Sequence, residues 1–294
     1  MITRVTNQTM LQSAHRNLQG SMSALAELQD KATSLKKISR PSDDPIGAAE
    51  SMRVRAEQRM VDQYGRNIID GLGWLTTVDS ALSASTDLLR QARDLTVQGA
   101  NDGALSPTAK EAIAVKLVSL RDEMLTKANT TYLGRTVFDG NSDTGQAFAD
   151  GAYTFTGTGS SVERRVGTES TVRVDADGAA VFGNGPDSVF ALIDTIVADL
   201  RSGVNVGAHL TEIDERMNAI LGQHGAVGAR HAQLLRAEET IMEQSGALEA
   251  QRSEIEDADL GKLILELKLQ EVTYQSALAV TARVLQPTLM DFLR

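Results

Sequence analysis

The side chains that could bind a metal ion through oxygen are concentrated in one short segment. Asp139, Asn141 and Asp143 begin a stretch that is similar to a calcium-binding loop, with Asp150 at the twelfth position. Thr144 stands where such a loop needs a glycine, and Asp150 replaces the bidentate glutamate. We therefore interpret the segment as a turn.

Histidine and cysteine, the nitrogen and sulfur ligands of metal ions, do not indicate a metal site either. The four histidines, at positions 15, 209, 224 and 231, do not form an HExxH pair, and the chain has no cysteine. A structural zinc site normally needs several such ligands at short spacing. We expect ordinary helix-surface histidines, no metal ion and no cofactor.

Catalytic motifs are also missing from the sequence. It contains no GxSxG, P-loop or GxGxxG pattern. One acidic group is dense enough to suggest paired catalytic carboxylates, and it consists of Glu254, Glu256, Asp257 and Asp259. At the start of a helix such charges favour the helix dipole, and we expect them to be solvated near a bend. We predict that the protein is not an enzyme.

Composition limits the possible partners. The 294 residues are 41% hydrophobic but only 4% aromatic, which favours helix packing through aliphatic side chains. The net charge of −10 argues against nucleic-acid binding, which needs clustered cations. The first ten residues lack the pattern of a signal peptide, and no segment reaches the ~18 apolar residues of a membrane span. We expect no membrane insertion.

Both ends of the chain carry an apolar stripe at heptad spacing. Such stripes predict a coiled coil of the N- and C-terminal helices, whose remaining apolar surface other copies of the chain would cover. The predicted assembly seam consists of Leu11, Leu18, Leu25, Leu28, Leu35, Leu260, Ile264, Leu267, Tyr274, Leu278 and Leu285.

The helical pattern is interrupted once near the N-terminus. Pro41 breaks it, and Asp44 followed by Pro45 has the chemistry of a helix cap and a first helical residue. We predict a hinge at Pro41, Asp44 and Pro45. Further helices are predicted from 45 to 98, 107 to 129, 189 to 200 and 210 to 252. Gly71 and Gly73 indicate tight packing in the first of these.

Three glycines at positions 222, 225 and 228 lie on one path along the last of these helices. Glycine thins a helix face and permits a neighbouring helix to approach closely. We expect a close helix contact there.

Between the helical regions the sequence changes character. Turn signals surround two segments that alternate like strands, at 153–155 and 171–174. The predicted fold is mainly α with a small β-rich insert, an elongated rod of long antiparallel helices. We predict three parts: a terminal coiled coil of residues 1–40 with 255–294, a helical body of 41–139 with 186–254, and an insert of 140–185 that carries little of the helical core.

Three segments carry a resemblance to a known family. Residues 93–101, with the sequence RDLTVQGAN, resemble a body motif of the bacterial flagellins, as do SDDPIG at 42–47 and SEIEDAD at 253–259. The three lie in family order and span most of the chain outside the insert. The closing segments YQSAL at 274–278 and RVLQPTLMDFL at 283–293 are more similar to hook-filament junction members than to filament members.

The resemblance implies a structural protein of the flagellum that is exported unfolded through the type III export apparatus. It further implies a ring of subunits between hook-associated protein 1 and the first flagellin subunits, and a cytoplasmic export chaperone that binds the C-terminal segment. A short filament flagellin is the alternative within the family. Outside it, a cytosolic coiled-coil adaptor would share the heptads, and a catalytic helical bundle would need inward-facing polar constellations.

Overall fold

The computed structural model describes residues 7–101, 105–142, 144–157 and 160–284. Long helices dominate this part of the chain, which confirms the predicted mainly α fold. The helices are α1 (Asn7–Ser34), α2 (Pro45–Gly99), α3 (Pro107–Ala128), α4 (Gly178–Phe182), α5 (Val189–Ser202), α6 (Leu210–Glu256) and α7 (Leu260–Val284). Short 3₁₀ turns occupy Gly185–Asp187 and Val206–His209.

Local side-chain chemistry explains where several helices begin. Asp44 Oδ1 accepts from the backbone N–H of Gly47 at 3.0 Å, directly before the proline that starts α2. Ser106 and Ser188 cap α3 and α5 in the same manner, by accepting from the N–H group three residues later. Each such cap satisfies a backbone donor that the first helical turn leaves unpaired.

The strands form two small antiparallel pairs. β1 (Thr131–Tyr132) pairs with β2 (Arg135–Thr136) in a hairpin, and β3 (Glu163–Arg165) pairs with β4 (Thr171–Arg173). The predicted strand at 171–174 is confirmed. The one predicted at 153–155 is wrong, because that segment makes only an isolated bridge between Phe148 and Phe155. Its backbone cannot continue as a strand where Tyr153 adopts a φ of 50°.

The chain separates into two compact units. Unit 1 comprises residues 1–59 and 245–294, and unit 2 comprises residues 60–244. Within unit 1, α1 packs along α7. Within unit 2, α3 packs on α5, and the segment predicted as an insert lies wholly inside this unit. The predicted three-part division stays a prediction.

The core of unit 2 corrects one expectation about the insert. Phe138, Phe148, Phe182 and Phe190, four of the six phenylalanines in the chain, are fully buried. The ring centroids of Phe148 and Phe182 are 5.8 Å apart, and those of Phe148 and Phe190 are 5.4 Å apart. These rings join the hydrophobic cluster formed by α2, α3, α5 and α6. Residues 140–185 therefore supply a substantial part of the core.

A polar contact also ties the insert to the helices. The Tyr153 hydroxyl donates to Asp194 Oδ2 at 2.7 Å, and the Arg121 guanidinium bonds the other oxygen of the same carboxylate. Burial, followed by the hydrogen bond to Asp194, raises the pKa of Tyr153 to about 12. These three side chains link the insert to α5 and α3. The insert is therefore held by polar contacts with the helices as well as by the turns at its ends.

The two glycine patterns in the long helices have different outcomes. Gly73 lies against the Tyr132 ring, which packs edge-on to buried Trp74 with the ring centroids 5.6 Å apart. This is the tight packing that the sequence predicts. A Cβ added at Gly222, Gly225 or Gly228 would meet no heavy atom within 4 Å. The expected close helix contact is therefore wrong for the described residues of a single chain.

Candidate functional site: the helix connectors and the terminal helix pair

The terminal helices pair along one face of each. Gln270 anchors the pair, because its Nε2 donates to the carbonyl of Ser21 at 3.0 Å. The half-buried residues of α1 on this face are Ala14, Leu18, Ser21, Leu25, Leu28 and Ala32. Those of α7 that are buried or half-buried include Leu263, Leu267, Gln270, Tyr274, Ala277 and Thr281. Both sets follow 4/3 spacing, which is that of a coiled-coil seam.

The structure places part of the predicted seam on this pairing face. Leu18, Leu25 and Leu28 of α1 lie on it, as do Leu267 and Tyr274 of α7. The side chain of Leu11, and Leu285 altogether, lie outside the described residues.

The remaining predicted seam residues do not lie on the pairing face. Leu35 belongs to the connector after α1, has a φ of 56° and is exposed. Leu260, Ile264 and Leu278 are also exposed, at 52%, 52% and 42%. Leu263, which the stripe leaves out, is only 5% exposed. The α7 helix is apolar on several sides, so its sequence periodicity does not identify the side that faces α1. The predicted stripe is therefore shifted around the helix from the residues that pair with α1.

Exposed apolar side chains occupy several sides of α7 that α1 leaves uncovered, and we call this surface the outer α7 face. It consists of Leu260, Ile264, Leu265, Leu269, Val272, Leu278 and Val280. Burying one such leucine or isoleucine contributes roughly 1.5–3 kcal/mol. No other element of the described chain covers this outer α7 face, which makes it suitable for contacts with other molecules.

The two connectors of unit 1 meet at a buried carboxylate. Glu256, the last residue of α6, is only 2% exposed. Its carboxylate accepts from Lys36 Nζ at 2.7 Å, from Arg55 Nε at 2.7 Å and from the Ser51 hydroxyl. Lys36 lies between α1 and α2, whereas Ser51 and Arg55 belong to α2. One side chain thus joins the connector after α1, the start of α2 and the end of α6.

Backbone hydrogen bonds reinforce the same point. Lys37 N donates to Glu256 O at 2.7 Å, and Ala258 N donates to Leu35 O at 3.0 Å. Lys36 and Asp257 form an antiparallel bridge between the two connectors. The α1–α2 and α6–α7 connectors are therefore held in register by main chain and side chain together.

The electrostatics of this connector junction follow from its donors. The hydrogen bond from Arg55 is the largest cause that holds the pKa of Glu256 well below its usual range, with further contributions from Lys36 and Ser51. The pKa of Arg55 is raised in turn, chiefly by its hydrogen bond to Glu256. Glu256 is consequently ionised at neutral pH, and its burial is compensated by paired cations.

The predicted acidic cluster thus has several structural roles rather than one. Glu254 is exposed, Asp257 lies on the connector bridge, and Glu256 is the buried partner of Lys36 and Arg55. Asp259 caps α7, because its Oδ1 accepts from the N–H groups of Gly261 and Lys262 at 2.9 and 3.2 Å. The expectation of a solvated group at a helix start holds for Asp259 and is wrong for Glu256, which lies at the end of α6.

The predicted hinge residues lie in the connector between α1 and α2. Pro41 is in a turn, Asp44 caps α2, and Pro45 is its first residue. Asp43 Oδ2 accepts from the N–H groups of Ser39 and Arg40 at 3.1 and 2.8 Å. The connector is therefore a hydrogen-bonded turn, and bending at this point stays a prediction.

The candidate chemical side chains that the structure describes make ordinary polar contacts. Asp139 is buried and accepts from the Thr144 hydroxyl at 2.6 Å, whereas Asp143 lies outside the described residues. His209 and His224 are half-buried beside carboxylates, with 2.8 Å from His209 Nε2 to Asp199 and 2.7 Å from His224 Nε2 to Asp79. No cluster suited to a metal ion exists among the described residues, and none of their helices is long and apolar enough to cross a membrane.

Two family models match the chain. The bacterial flagellin N-terminal helical region matches residues 5–143, and the bacterial flagellin C-terminal helical region matches residues 210–293. Together these matches span most of the chain. They leave out only the segment between the two helical regions and a few residues at the ends.

Curated relatives and solved structures agree with these matches. A flagellin of Halalkalibacterium halodurans is 25% identical over 93% of this chain and 93% of its own length. Flagellar hook-associated protein 3 of Salmonella typhimurium is 23% identical over 93% of this chain and 94% of its own. A flagellar hook-associated protein of Vibrio parahaemolyticus superposes with a TM-score of 0.68 at 23% identity, covering 73% of this chain and 100% of its own. At that identity the structural likeness establishes a shared fold.

Proposed function

Because the chain belongs to the bacterial flagellin family and is therefore a structural component of the flagellum, not an enzyme, we propose that it forms the junction layer between hook-associated protein 1 and the flagellin filament. The layer is a ring of copies of this chain. In it the helix pair of unit 1 makes the contacts between neighbouring copies.

The observation that carries the assembly is the outer α7 face. A helix that is paired on one side and apolar on the other needs a second partner to bury its remaining surface. Copies of the same chain supply that partner in a ring, where every subunit presents the same surfaces. Leu260, Ile264 and Leu278 of the predicted seam then act between copies rather than within one.

The position at the junction draws on the closing segments of the sequence. The resemblance of residues 283–293 to junction members of the family supports this position. The hook-associated protein 3 relative also aligns over almost its whole length. A junction layer meets a different protein on each side, hook-associated protein 1 below and flagellin above, so it must stop after a limited number of copies.

A short filament flagellin is the second candidate. The flagellin of Halalkalibacterium halodurans aligns with this chain over nearly the same share of both lengths as the hook-associated relative does. A filament subunit would use the same terminal helices but would propagate into an open helix of identical contacts.

Export supplies the remaining partners. We place the chain in the cytoplasm only transiently, bound to an export chaperone before it enters the type III export apparatus. The outer α7 face is suited to such a chaperone, because an amphipathic helix binds readily in an apolar groove. The final location in this proposal is the extracellular flagellum.

Copy number distinguishes the two candidates. Quantitative mass spectrometry of isolated flagella should find on the order of ten copies of this chain, as a single closed layer requires. Cells that lack the chain should keep their hooks and release flagellin into the medium. Copy numbers in the thousands would identify a filament flagellin instead. In that case, cells that lack the chain should differ only by the loss of one filament subunit from their flagella.

A further inference from the structure

Two sides of α7 have the spacing of a coiled-coil seam, and they overlap. Three residues belong to both sides, namely Leu267, Tyr274 and Thr281. The pairing face that contacts α1 completes its seam with Leu263, Gln270 and Ala277. The alternative side completes it with the next residue in each case, Ile264, Glu271 and Leu278. Because consecutive residues lie about 100° apart around a helix, a rotation of roughly 50° separates the two sides.

Apolar burial by itself favours the alternative side. Leucine and isoleucine are of similar size, so positions 263 and 264 are nearly equivalent. Leu278 is larger than Ala277 and would remove more apolar surface from water. The structure nevertheless leaves Ile264 and Leu278 52% and 42% exposed, whereas Leu263 is 5% exposed. Apolar area therefore does not decide which side of α7 faces α1.

The middle position of each side carries a polar residue, and the two residues differ in charge. Gln270, on the pairing face, is neutral. Its Nε2 donates to the carbonyl oxygen of Ser21 at 3.0 Å and to the Ser21 hydroxyl oxygen at 3.2 Å. A buried amide is tolerated when its hydrogen bonds are made. The α1 helix thus provides acceptors for Gln270 at the centre of the seam.

Glu271 occupies the equivalent position on the alternative side. It is half-buried at the edge of the helix pair, where its carboxylate accepts from Lys268 Nζ at 3.0 Å. A rotation of α7 by roughly 50° would move this carboxylate to the centre of the seam. The α1 residues on the inner side around Ser21 carry no cation, being Leu18, Ala24 and Leu25. Desolvating a carboxylate without a cationic partner is far more costly than burying a hydrogen-bonded amide.

We infer that Glu271 is a positioning residue: its charge excludes the alternative side of α7 from the pairing with α1 and leaves Ile264 and Leu278 exposed for contact with a second copy of this chain. The exclusion acts within a single chain, whereas the use of the two exposed residues rests on the proposed assembly of copies. Without the charge, α7 would bury these apolar side chains inside its own subunit.

Single cysteines report which side of α7 faces α1, because the chain contains no cysteine of its own. Ala277→Cys lies on the pairing face, and Ala282→Cys lies on an exposed side that the rotation would turn towards α1. In the purified wild-type chain, a maleimide should modify Ala282→Cys faster than Ala277→Cys. Adding Glu271→Leu should reverse the order and change the ratio of the two rates about tenfold, since a leucine then replaces the charge at the seam.

Two control variants separate the charge from a general effect of the substitution. Glu266→Leu also replaces a glutamate that lies near a lysine, with 3.9 Å between Lys262 Nζ and the Glu266 carboxylate. Position 266 lies on the opposite side of the pairing face from Glu271, so this variant should keep the wild-type order of labelling. Glu271→Asp keeps the charge and should keep that order as well. An unchanged order in Glu271→Leu, or a reversed order in either control, would overturn the inference.

A competition experiment tests the consequence for assembly. Cells express the wild-type chain and Glu271→Leu in equal amounts, and mass spectrometry measures the ratio of the two in isolated flagella. Incorporation of the variant should fall about tenfold, because Ile264 and Leu278 would be buried within its own subunit. Glu266→Leu should be incorporated equally with wild type. Reversed labelling with equal incorporation of Glu271→Leu would refute the contact with a second copy, while a copy number of a single layer would leave the proposed function intact.

Discussion

Lys36 and Glu256 lie in different connectors of the chain, and the Lys36 ammonium donates to the buried Glu256 carboxylate at 2.7 Å. The adjoining backbones form an antiparallel bridge between Lys36 and Asp257. The two connectors of unit 1 therefore cannot separate without breaking an ion pair and main-chain hydrogen bonds at once. Because α1 and α7 each adjoin one of these connectors, we expect the ordered packing of both helices to depend on this contact.

Replacing Glu256 with glutamine should destabilise unit 1 by about 2 kcal/mol, because the amide cannot match the charged hydrogen bonds that the carboxylate accepts. Two measurements give the loss of stability: hydrogen exchange of the α1 and α7 amides, and urea unfolding of the purified chain. Glu249→Gln is the matched control on the same helix, since Glu249 is exposed and accepts from Gln58 and Arg252 at the surface. An equal effect of both changes would contradict the role of the buried carboxylate.

The lowered pKa of Glu256 makes the stability of unit 1 sensitive to acid. The carboxyl group has an ordinary pKa in the unfolded chain and a depressed one when folded, so its contribution is complete at neutral pH. As the pH falls below about 4.5, the unfolded chain gains a proton that the folded chain does not, and stability is lost. Urea unfolding between pH 7 and 3 should show a steeper loss for wild type than for Glu256→Gln. Parallel curves would show that other carboxylates dominate the acid response.

Leu263→Asp should disrupt the pairing of α1 with α7 within one subunit. Leu263 is 5% exposed, and a carboxylate there would be desolvated without a partner at a cost of several kcal/mol. Leu278→Asp should leave the isolated chain folded, because Leu278 is 42% exposed. Circular dichroism of the two purified variants makes the comparison. If Leu278→Asp loses as much helix as Leu263→Asp, the observed pairing face is incorrect.

The outer α7 face gives Leu278→Asp a separate consequence for assembly. If copies bury this face against one another, the variant should be exported and yet fail to support filaments, since a carboxylate would then be desolvated between subunits. Electron microscopy of the cells gives the result. Normal filaments would show that Leu278 lies outside the subunit interface.

The shared core of unit 2 predicts that its helices need residues 140–185. Phe182→Ala should lower the free energy of unfolding by about 3–5 kcal/mol, because the ring is fully buried against Phe138, Phe148 and Phe190. Deleting residues 140–185 should abolish the cooperative helical transition in thermal melts. Val115→Ala, a change at an exposed position of α3, is the control. An intact transition after the deletion would restore the view of the segment as a dispensable insert.

Much of the secondary structure was decided by short-range chemistry that the sequence displays. The pairs Asp44–Pro45 and Ser106–Pro107 set the starts of α2 and α3, because a side-chain acceptor and a proline favour a helix start wherever they occur. The flagellin motifs likewise predicted the family from local sequence. On α1 the predicted seam residues Leu18, Leu25 and Leu28 lie on the face that pairs with α7, because their spacing keeps them on one side of the helix.

Tertiary packing decided what local sequence leaves open. On α7, apolar residues also occur away from the pairing side, at Leu265, Leu269 and Val272, so periodicity does not single out one face. Only contact with α1 distinguishes the inner residue Leu263 from the exposed Leu260 and Ile264. In the sequence Glu256 looks like its acidic neighbours. Its distinct role depends on donors from residues more than two hundred positions away, Lys36 and Arg55. Helix periodicity depends on neighbours within a few turns, whereas the burial of a charge or a ring depends on residues that only the folded chain brings together.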